Sequence, residues 1–97
     1  MTYRVTKVFT RPNNTVSFFN DHDPCTDVVN TFQAQAKLVS YSPQERWDNK
    51  LTTIHVWSSE AAYDEFTGQP SVAAVFAARD SHNSTHGITC AITTATI

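Results

Sequence analysis

Segments in which apolar residues have the spacing typical of strands alternate along this chain with segments that have the spacing typical of helices. Few folds accommodate the resulting order of strands and helices. Two segments repeat apolar residues at every second position, as half-buried strands do, and two more carry the β-branched or aromatic residues typical of strands. Two further segments repeat apolar residues every three or four positions, as helices do. In chain order the segments are residues 3–11, 23–37, 38–47, 51–57, 59–82 and 88–97. This β-α-β-β-α-β order predicts an α+β fold of the ferredoxin-like type, with a four-stranded antiparallel sheet and both helices on one face. We expect a single domain spanning residues 1–97, because a chain of this length holds one core.

Capping residues predict where the helices begin and end. Asp23 can accept a backbone N–H as the N-cap of the first helix, and Pro24 suits its first position. Ser58 or Ser59 can cap the second helix, which Gly68 and Pro70 interrupt. The buried stripe of the first helix is predicted to comprise Cys25, Val28, Val29, Phe32 and Ala36. Helical spacing in the second helix continues to about His82, and Gly87 is expected to mark the exit.

Pro43 interrupts the second predicted strand, residues 38–47. Because proline cannot donate to a strand ladder, this strand should be bulged or lie at a sheet edge. Residues 48–50 then form a turn into strand 51–57, so the two strands make a hairpin. Residues 12–23 form a connection too apolar for a freely solvated loop, which is expected to fold back on the domain or to contact a neighbour.

Charge and composition limit the partners of this chain. Seven Lys and Arg residues stand against nine Asp and Glu residues, which gives a net charge of −2 and no basic surface for nucleic acid. No apolar run approaches the ~18–20 residues that a membrane span needs, and no secretion signal is recognised. We expect no nucleic-acid or membrane partner, free thiols at Cys25 and Cys90, and a location in the cytoplasm or within a viral particle.

The segment from Leu51 to about Ala78 resembles proteins of the dimeric α/β-barrel superfamily, in particular antibiotic-biosynthesis-monooxygenase-like proteins. A strand that ends in Trp57 is followed by Ser-Ser-Glu-Ala-Ala-Tyr and then by a broken helix with Pro70. The resemblance covers roughly a third of the chain. It implies that two sheets pack face to face as a dimer, and that each subunit holds a pocket between its sheet and its helices.

The resemblance does not carry every activity of that superfamily to this chain. In its heme-degrading branch the catalytic Trp and His fall on the second helix, where this chain has Phe66 and Phe76, neither of which can ligate iron. We therefore expect no cofactor. Cofactor-free, quinone-forming members use His, Trp and Asn in varied positions, which makes His55 and Trp57 candidates for such chemistry. A second resemblance covers residues 6–13, which look like the start of short uncharacterised proteins of marine tailed phages.

Two groups of residues have the chemistry of metal ligands, but neither predicts a site. His82 and His86 stand four apart and lack a third ligand nearby in sequence. Asp21, His22 and Asp23 could bind a cation, yet Asp23 is better explained as the N-cap. Cys25 lies on the apolar stripe of its helix and is expected to be a buried structural residue. No metal site is therefore expected.

Large aromatic side chains supply the candidate site. His55 shares a strand face with Trp57 and is the candidate general base if the protein is an enzyme. The residues expected to line a pocket or an interface are Tyr41, Trp47, Trp57, Tyr63, Phe18 and Phe19.

Two functions are compatible with these residues. The first is a self-associating structural or interaction component of an assembly, such as a phage particle, with itself and other assembly proteins as partners and no catalysis. The alternative is a small-molecule enzyme or ligand-binding protein of the monooxygenase-like class, with His55, Trp57 and Tyr63 in its pocket. Of these two functions, we expect the structural or interaction component of an assembly.

Overall fold

Strands and helices follow the predicted order along the chain. The structure is a computed structural model that describes residues 1–19, 22–42 and 45–97, apart from the side chains of residues 22–24. Its strands are β1 (Tyr3–Thr10), β2 (Leu38–Tyr41), β3 (Glu45–Trp47), β4 (Lys50–Trp57) and β5 (Thr89–Thr96), and its helices are α1 (His22–Ala34), α2 (Glu60–Thr67) and α3 (Pro70–His86). The fold is α+β, as predicted.

The strands form one antiparallel sheet with the order β2-β4-β1-β5, in which β3 also pairs with β4. The first strand lies in the middle of the sheet because β1 pairs with both β4 and β5 along its whole length. The connection from β1 to β2 runs through α1 and that from β4 to β5 through α2 and α3, whereas β3 and β4 are joined by a turn. This is the ferredoxin-like arrangement that the sequence predicted.

Alternation along the two central strands sorts side chains to opposite faces of the sheet. On β1, Val5 and Phe9 are buried against the helices, and the register places Phe9 opposite Leu51 of β4. The main core joins the sheet to all three helices and comprises Val5, Cys25, Val29, Phe32, Leu38, Trp57, Ala62, Phe66 and Val72. Cys25 is buried in it, as expected. Burying such apolar surface is the main favourable contribution to folding.

The strand predicted over residues 38–47 is two short strands, so the sheet has five strands and not four. Both pair with β4, β2 near its end at His55 to Trp57 and β3 near its start at Lys50 to Thr52. Pro43 lies between them, outside the described residues. A register shift between Leu38 and Ser40 adds a bulge, so the predicted edge position and irregularity are confirmed.

Helix α1 differs from the expectation at both ends. It begins at His22, one residue before the predicted N-cap Asp23, whose side chain lies outside the described residues. It ends at Ala34, and Ala36 takes a left-handed conformation with φ of 57°. Ala36 is exposed, so its predicted place on the buried stripe is wrong. The hydrogen bond from Lys37 N–H to the Phe32 carbonyl closes the helix end instead.

The predicted break in the second helix is confirmed. Ser59 caps α2 by accepting a hydrogen bond from the Ala62 N–H at 3.2 Å, and Pro70 begins α3. The expected end near His82 is wrong, because α3 continues to His86. Gly87 ends it with a left-handed φ of 71°, a conformation that glycine adopts without the steric cost of a Cβ.

The connection after β1 folds back onto the domain. The ring of Phe18 lies between two guanidinium groups, 4.9 Å from that of Arg11 and 5.4 Å from that of Arg46. Phe18 and Val16 pack against a second core cluster formed by Phe9, Leu51 and Ile88. Among the described residues, no helix is long and apolar enough to cross a membrane.

Candidate functional site

The helix-facing side of the sheet carries polar groups among its apolar side chains. Cross-strand register places Tyr3 opposite Trp57 and Lys7 opposite Thr53. Lys7 and Thr53 are 8% and 7% exposed, which is unusual for side chains that prefer water. Polar residues buried between a sheet and its helices are the first candidates for a site.

Two buried cations lie against one aromatic ring, and we call Lys7, Phe76 and Arg79 the cation cluster. The Lys7 Nζ lies 4.3 Å from the centroid of the Phe76 ring, and the Arg79 Cζ lies 4.2 Å from the same centroid. Both cations are less than a tenth exposed. The negative face of the ring attracts each cation. The Arg79 Nε also lies 3.7 Å from Oδ1 of the exposed Asp80. Positive charge in a region of low dielectric favours a negative charge that enters it.

Three aromatic side chains form a second group, which we call the ring stack: Tyr41, His55 and Trp57. The Tyr41 and His55 rings are stacked with centroids 5.8 Å apart and an interplanar angle of 19°. His55 and Trp57 are stacked at 6.2 Å and 17°. The fold imposes this order, because Tyr41 pairs with His55 across strands and His55 and Trp57 stand two apart on β4.

Tyr63 connects the two groups. Its ring centroid lies 5.7 Å from that of Trp57 and 5.9 Å from that of Tyr3, and the Lys7 Nζ lies 6.0 Å from it. Burial raises the pKa of the Tyr63 phenol, and the neighbouring Tyr3 adds to this, while Arg79 acts in the opposite direction. Tyr63 therefore remains a protonated phenol that can donate a hydrogen bond.

The indole N–H of Trp57 is buried at the junction of these groups. Trp57 is 1% exposed, and its Nε1 has no hydrogen-bond partner among the described residues. An indole nitrogen can only donate, and a buried donor without an acceptor is costly. An oxygen atom of a bound molecule would remove this cost.

The structure brings together some of the aromatic residues singled out in the sequence and separates the others. Tyr41 and Trp57 each stack on His55, and Tyr63 contacts Trp57, although Tyr41 remains 38% exposed. Trp47 is 79% exposed on β3, opposite Lys50 at the far end of β4.

The two phenylalanines of the loop pack on this same domain. Phe18 contacts Arg11 and Arg46, and the Phe19 ring lies 5.7 Å from that of His82. Phe18 and Phe19 therefore contact side chains of this same chain, whereas an assembly component would use them to contact a neighbouring protein.

Sequence reasoning missed the cation cluster. The sequence held a signal for Lys7, because on β1 this residue stands two positions from Val5 and from Phe9 and so points to the same buried face. Arg79 likewise continues the helical spacing of Val72, Val75 and Phe76. A charged residue at a position where the hydrophobic period predicts a buried side chain could have identified both Lys7 and Arg79 as site residues.

Among the described residues, no third ligand joins His82 and His86 to form a metal site. The rings of His82 and His86 do lie on one side of α3, with centroids 4.4 Å apart. The Nε2–H of His82, however, donates to the Ser17 carbonyl at 2.8 Å. Over residues 1–19, 22–42 and 45–97, no group of three or more potential ligands could hold a metal ion. The side chains of Asp21, His22 and Asp23 lie outside the described residues.

A polar recess lies elsewhere on the surface, at the turn between β3 and β4. It has a volume of about 560 Å³ and is lined by Arg11, Asn13, Asn14, Asp48 and Asn49. The Arg11 guanidinium donates to the Asp48 carbonyl, the Asn49 side chain and the Val16 carbonyl. The charged group of this recess therefore supports the turn and the loop.

Comparisons with solved structures show the same fold across nearly the whole chain. A point mutant of SnoaB, a cofactor-independent oxygenase from Streptomyces nogalater, has a TM-score of 0.66 at 18% identity, covering 99% of this chain and 92% of that one. An antibiotic biosynthesis monooxygenase has a TM-score of 0.65 at 12% identity, and the match covers 100% of this chain and 98% of that one. Rv0793 from Mycobacterium tuberculosis has a TM-score of 0.62 at 15% identity, and the match covers 100% of this chain and 95% of that one. No protein-family model matches the sequence, and no match was found among curated proteins.

These comparisons correct the expected function. The expectation of a structural component, such as part of a phage particle, is wrong, because proteins with this architecture include an oxygenase and a monooxygenase. They favour the alternative of a small-molecule enzyme or ligand-binding protein. The resemblance seen between Leu51 and Ala78 is confirmed at the level of the fold. The chain has the antibiotic-biosynthesis-monooxygenase-like fold of the dimeric α/β-barrel proteins.

Proposed function

We propose that this protein is an enzyme that binds a small phenolic or quinol-type aromatic molecule between its helices and its sheet and oxidises it with dioxygen. The observation that carries the proposal is the buried, unpartnered Nε1–H of Trp57, whose indole contacts Tyr63, the ring that the Lys7 ammonium group also faces. The fold supports it, since SnoaB is described as a cofactor-independent oxygenase.

The chemistry needs a substrate that becomes rich in electrons. A phenol or quinol that loses a proton becomes an anion, and an anion transfers electrons to dioxygen far more readily than the neutral molecule does. His55 is the candidate base for that proton. Lys7 and Arg79 would stabilise the negative charge, because both are buried against Phe76. For a quinol, two electrons and two protons leave the ring as dioxygen becomes hydrogen peroxide.

The aromatic walls of the site would hold such a molecule by its faces. The Tyr63 ring contacts the rings of both Trp57 and Tyr3. Phenols donate and accept hydrogen bonds, so Tyr63 and the Trp57 indole can bind oxygen atoms of the ligand. A flat aromatic molecule with oxygen substituents satisfies both requirements.

We also propose that the protein is a homodimer. The face of the sheet opposite the helices carries Val8, Ile54 and Val56, which the register places on the central strands β1 and β4. The helices pack on the opposite face, where Val5 and Trp57 belong to the core that joins the sheet to the helices. A second copy would cover these apolar side chains.

The test is dioxygen uptake by the purified protein with 1,4-dihydroxynaphthalene, corrected for uptake without protein. We expect Lys7→Met to lower the protein-dependent rate at least about tenfold, equivalent to about 1.4 kcal/mol of lost stabilisation. Lys50→Met removes an exposed lysine from β4 and should leave the rate unchanged. Saturable binding of the quinol without protein-dependent dioxygen uptake would mean that the protein binds such a ligand and does not oxidise it. If neither binding nor dioxygen uptake is seen, the proposed function is refuted.

A further inference from the structure

The ring stack runs from the protein surface into the core. Its outer ring, Tyr41, is 38% exposed, and its inner ring, Trp57, is 1% exposed. His55 lies between them and is stacked on both, at 5.8 Å and 6.2 Å. Both spacings are those of ordinary aromatic contacts, so the three rings form a continuous path with no saturated gap.

The inner end of this path reaches the candidate site. Trp57 lies 5.7 Å from Tyr63, whose ring faces the Lys7 ammonium group. Indole and phenol are the side chains from which one electron is most easily removed, apart from thiols. Electron tunnelling falls exponentially with distance, so contacts between neighbouring rings are fast steps. A strong one-electron oxidant formed at this site would oxidise Trp57 before most other groups.

We propose that Tyr41, His55 and Trp57 form a radical-transfer path that carries an oxidising equivalent from the site to the surface. The oxidant is superoxide, formed when the bound quinol gives one electron to dioxygen. Superoxide takes one electron from the Trp57 indole and two protons from water to become hydrogen peroxide, which leaves Trp57 as a radical cation that keeps its N–H proton. Tyr41 returns an electron to Trp57 through the His55 ring, which is a bridge and is not itself oxidised. The Tyr41 phenol releases its proton to water and becomes a tyrosyl radical, which a soluble thiol or ascorbate can reduce.

The surroundings of the two neighbouring tyrosines set the direction of transfer. A phenol gives up an electron easily only when its proton can leave at the same time. Water reaches Tyr41 and can take that proton. Tyr63 is partly buried, and its raised pKa means that it holds its proton more firmly. The oxidising equivalent on Trp57 is therefore directed outward to Tyr41.

Flash photolysis tests this path without any substrate, so its outcome is independent of the proposed enzyme activity. The chain has two tryptophans, and Trp47→Phe leaves Trp57 as the only indole that light can ionise. In this background we expect the Trp57 radical absorption to decay as a tyrosyl absorption grows. Adding Tyr41→Phe, which keeps the stacked ring, should lower the tyrosyl yield several-fold and lengthen the life of the Trp57 radical.

Two matched variants identify the route. Tyr63→Phe removes the competing inward acceptor and should leave most of the tyrosyl yield intact. His55→Leu removes the bridging ring and should slow the transfer, with folding checked by circular dichroism. The path is overturned if Tyr41→Phe leaves the tyrosyl yield unchanged, or if Tyr63→Phe abolishes it.

Discussion

Single residues that violate the local pattern mark the candidate site. Lys7 occupies the buried phase of β1 between Val5 and Phe9, and Arg79 occupies the buried side of α3. Burying a charge is costly unless it is paired and hydrogen-bonded, so charged residues seldom occupy such positions. Buried cations between the sheet and the helices are what a site for an anionic intermediate requires.

Tyr63 should make stability depend on alkaline pH. Its pKa is raised above the ordinary 10.0 by burial, so its stabilising contribution is complete below about pH 10 and is lost as the pH rises through the raised value. We expect wild type to lose stability relative to Tyr63→Phe as the pH rises above about 10, measured by urea unfolding at a series of pH values. Tyr41→Phe is the matched control, the same substitution at a tyrosine that is 38% exposed. Parallel curves for wild type and Tyr63→Phe would contradict this account.

Signals that act within one element were predictable from the sequence, and those that depend on distant contacts were not. Ser59, Pro70 and Gly87 mark helix ends through local hydrogen bonding and backbone geometry, and the structure confirms all three. The split of the edge strand and the left-handed Ala36 follow from how neighbouring elements meet. The meeting of Lys7 with Phe76 depends on the packing of α3 on the sheet, which no local pattern reports.

Ala36 is a strained position that glycine should relieve. A residue with a Cβ in the left-handed conformation costs roughly 1–2 kcal/mol, and glycine avoids most of that cost. We expect Ala36→Gly to raise the free energy of unfolding by about 1 kcal/mol, measured by urea denaturation. Ala77→Gly, at an exposed position inside α3, should lower it by about 0.5–1 kcal/mol. Equal destabilisation by both changes would show that Ala36 is not strained.

At the scale of the whole molecule, the chain has two layers, with the helices on one face of the sheet and the other face open. The principal extents of 39 × 27 × 17 Å fit such a flat shape. The aromatic and cationic groups lie between the layers, and the apolar residues of the open face lie behind them. This arrangement separates the proposed ligand site from the proposed dimer contact.

The proposed dimer makes a specific prediction about mass. We expect light scattering to give twice the chain mass of 10.8 kDa over a wide concentration range. Ile54→Lys places a charge on the open face and should produce monomers, because burying an unpaired charge in an interface is unfavourable. Ile92→Lys changes the same residue type on the helix-facing side of β5 and should leave the dimer intact. A wild-type monomer, or a dimer that survives Ile54→Lys, would rule out this interface.

Occupation of the site by an aromatic molecule is the central claim, and Trp57 can report it directly. In a Trp47→Phe variant all indole fluorescence comes from Trp57, which is buried beside Tyr63 and His55. Titration with 1,4-dihydroxynaphthalene without dioxygen should change this fluorescence along a saturable curve, and Lys7→Met should shift the midpoint to higher concentration. A strictly linear change, identical in both proteins, would mean that the quinol does not enter the space between the helices and the sheet.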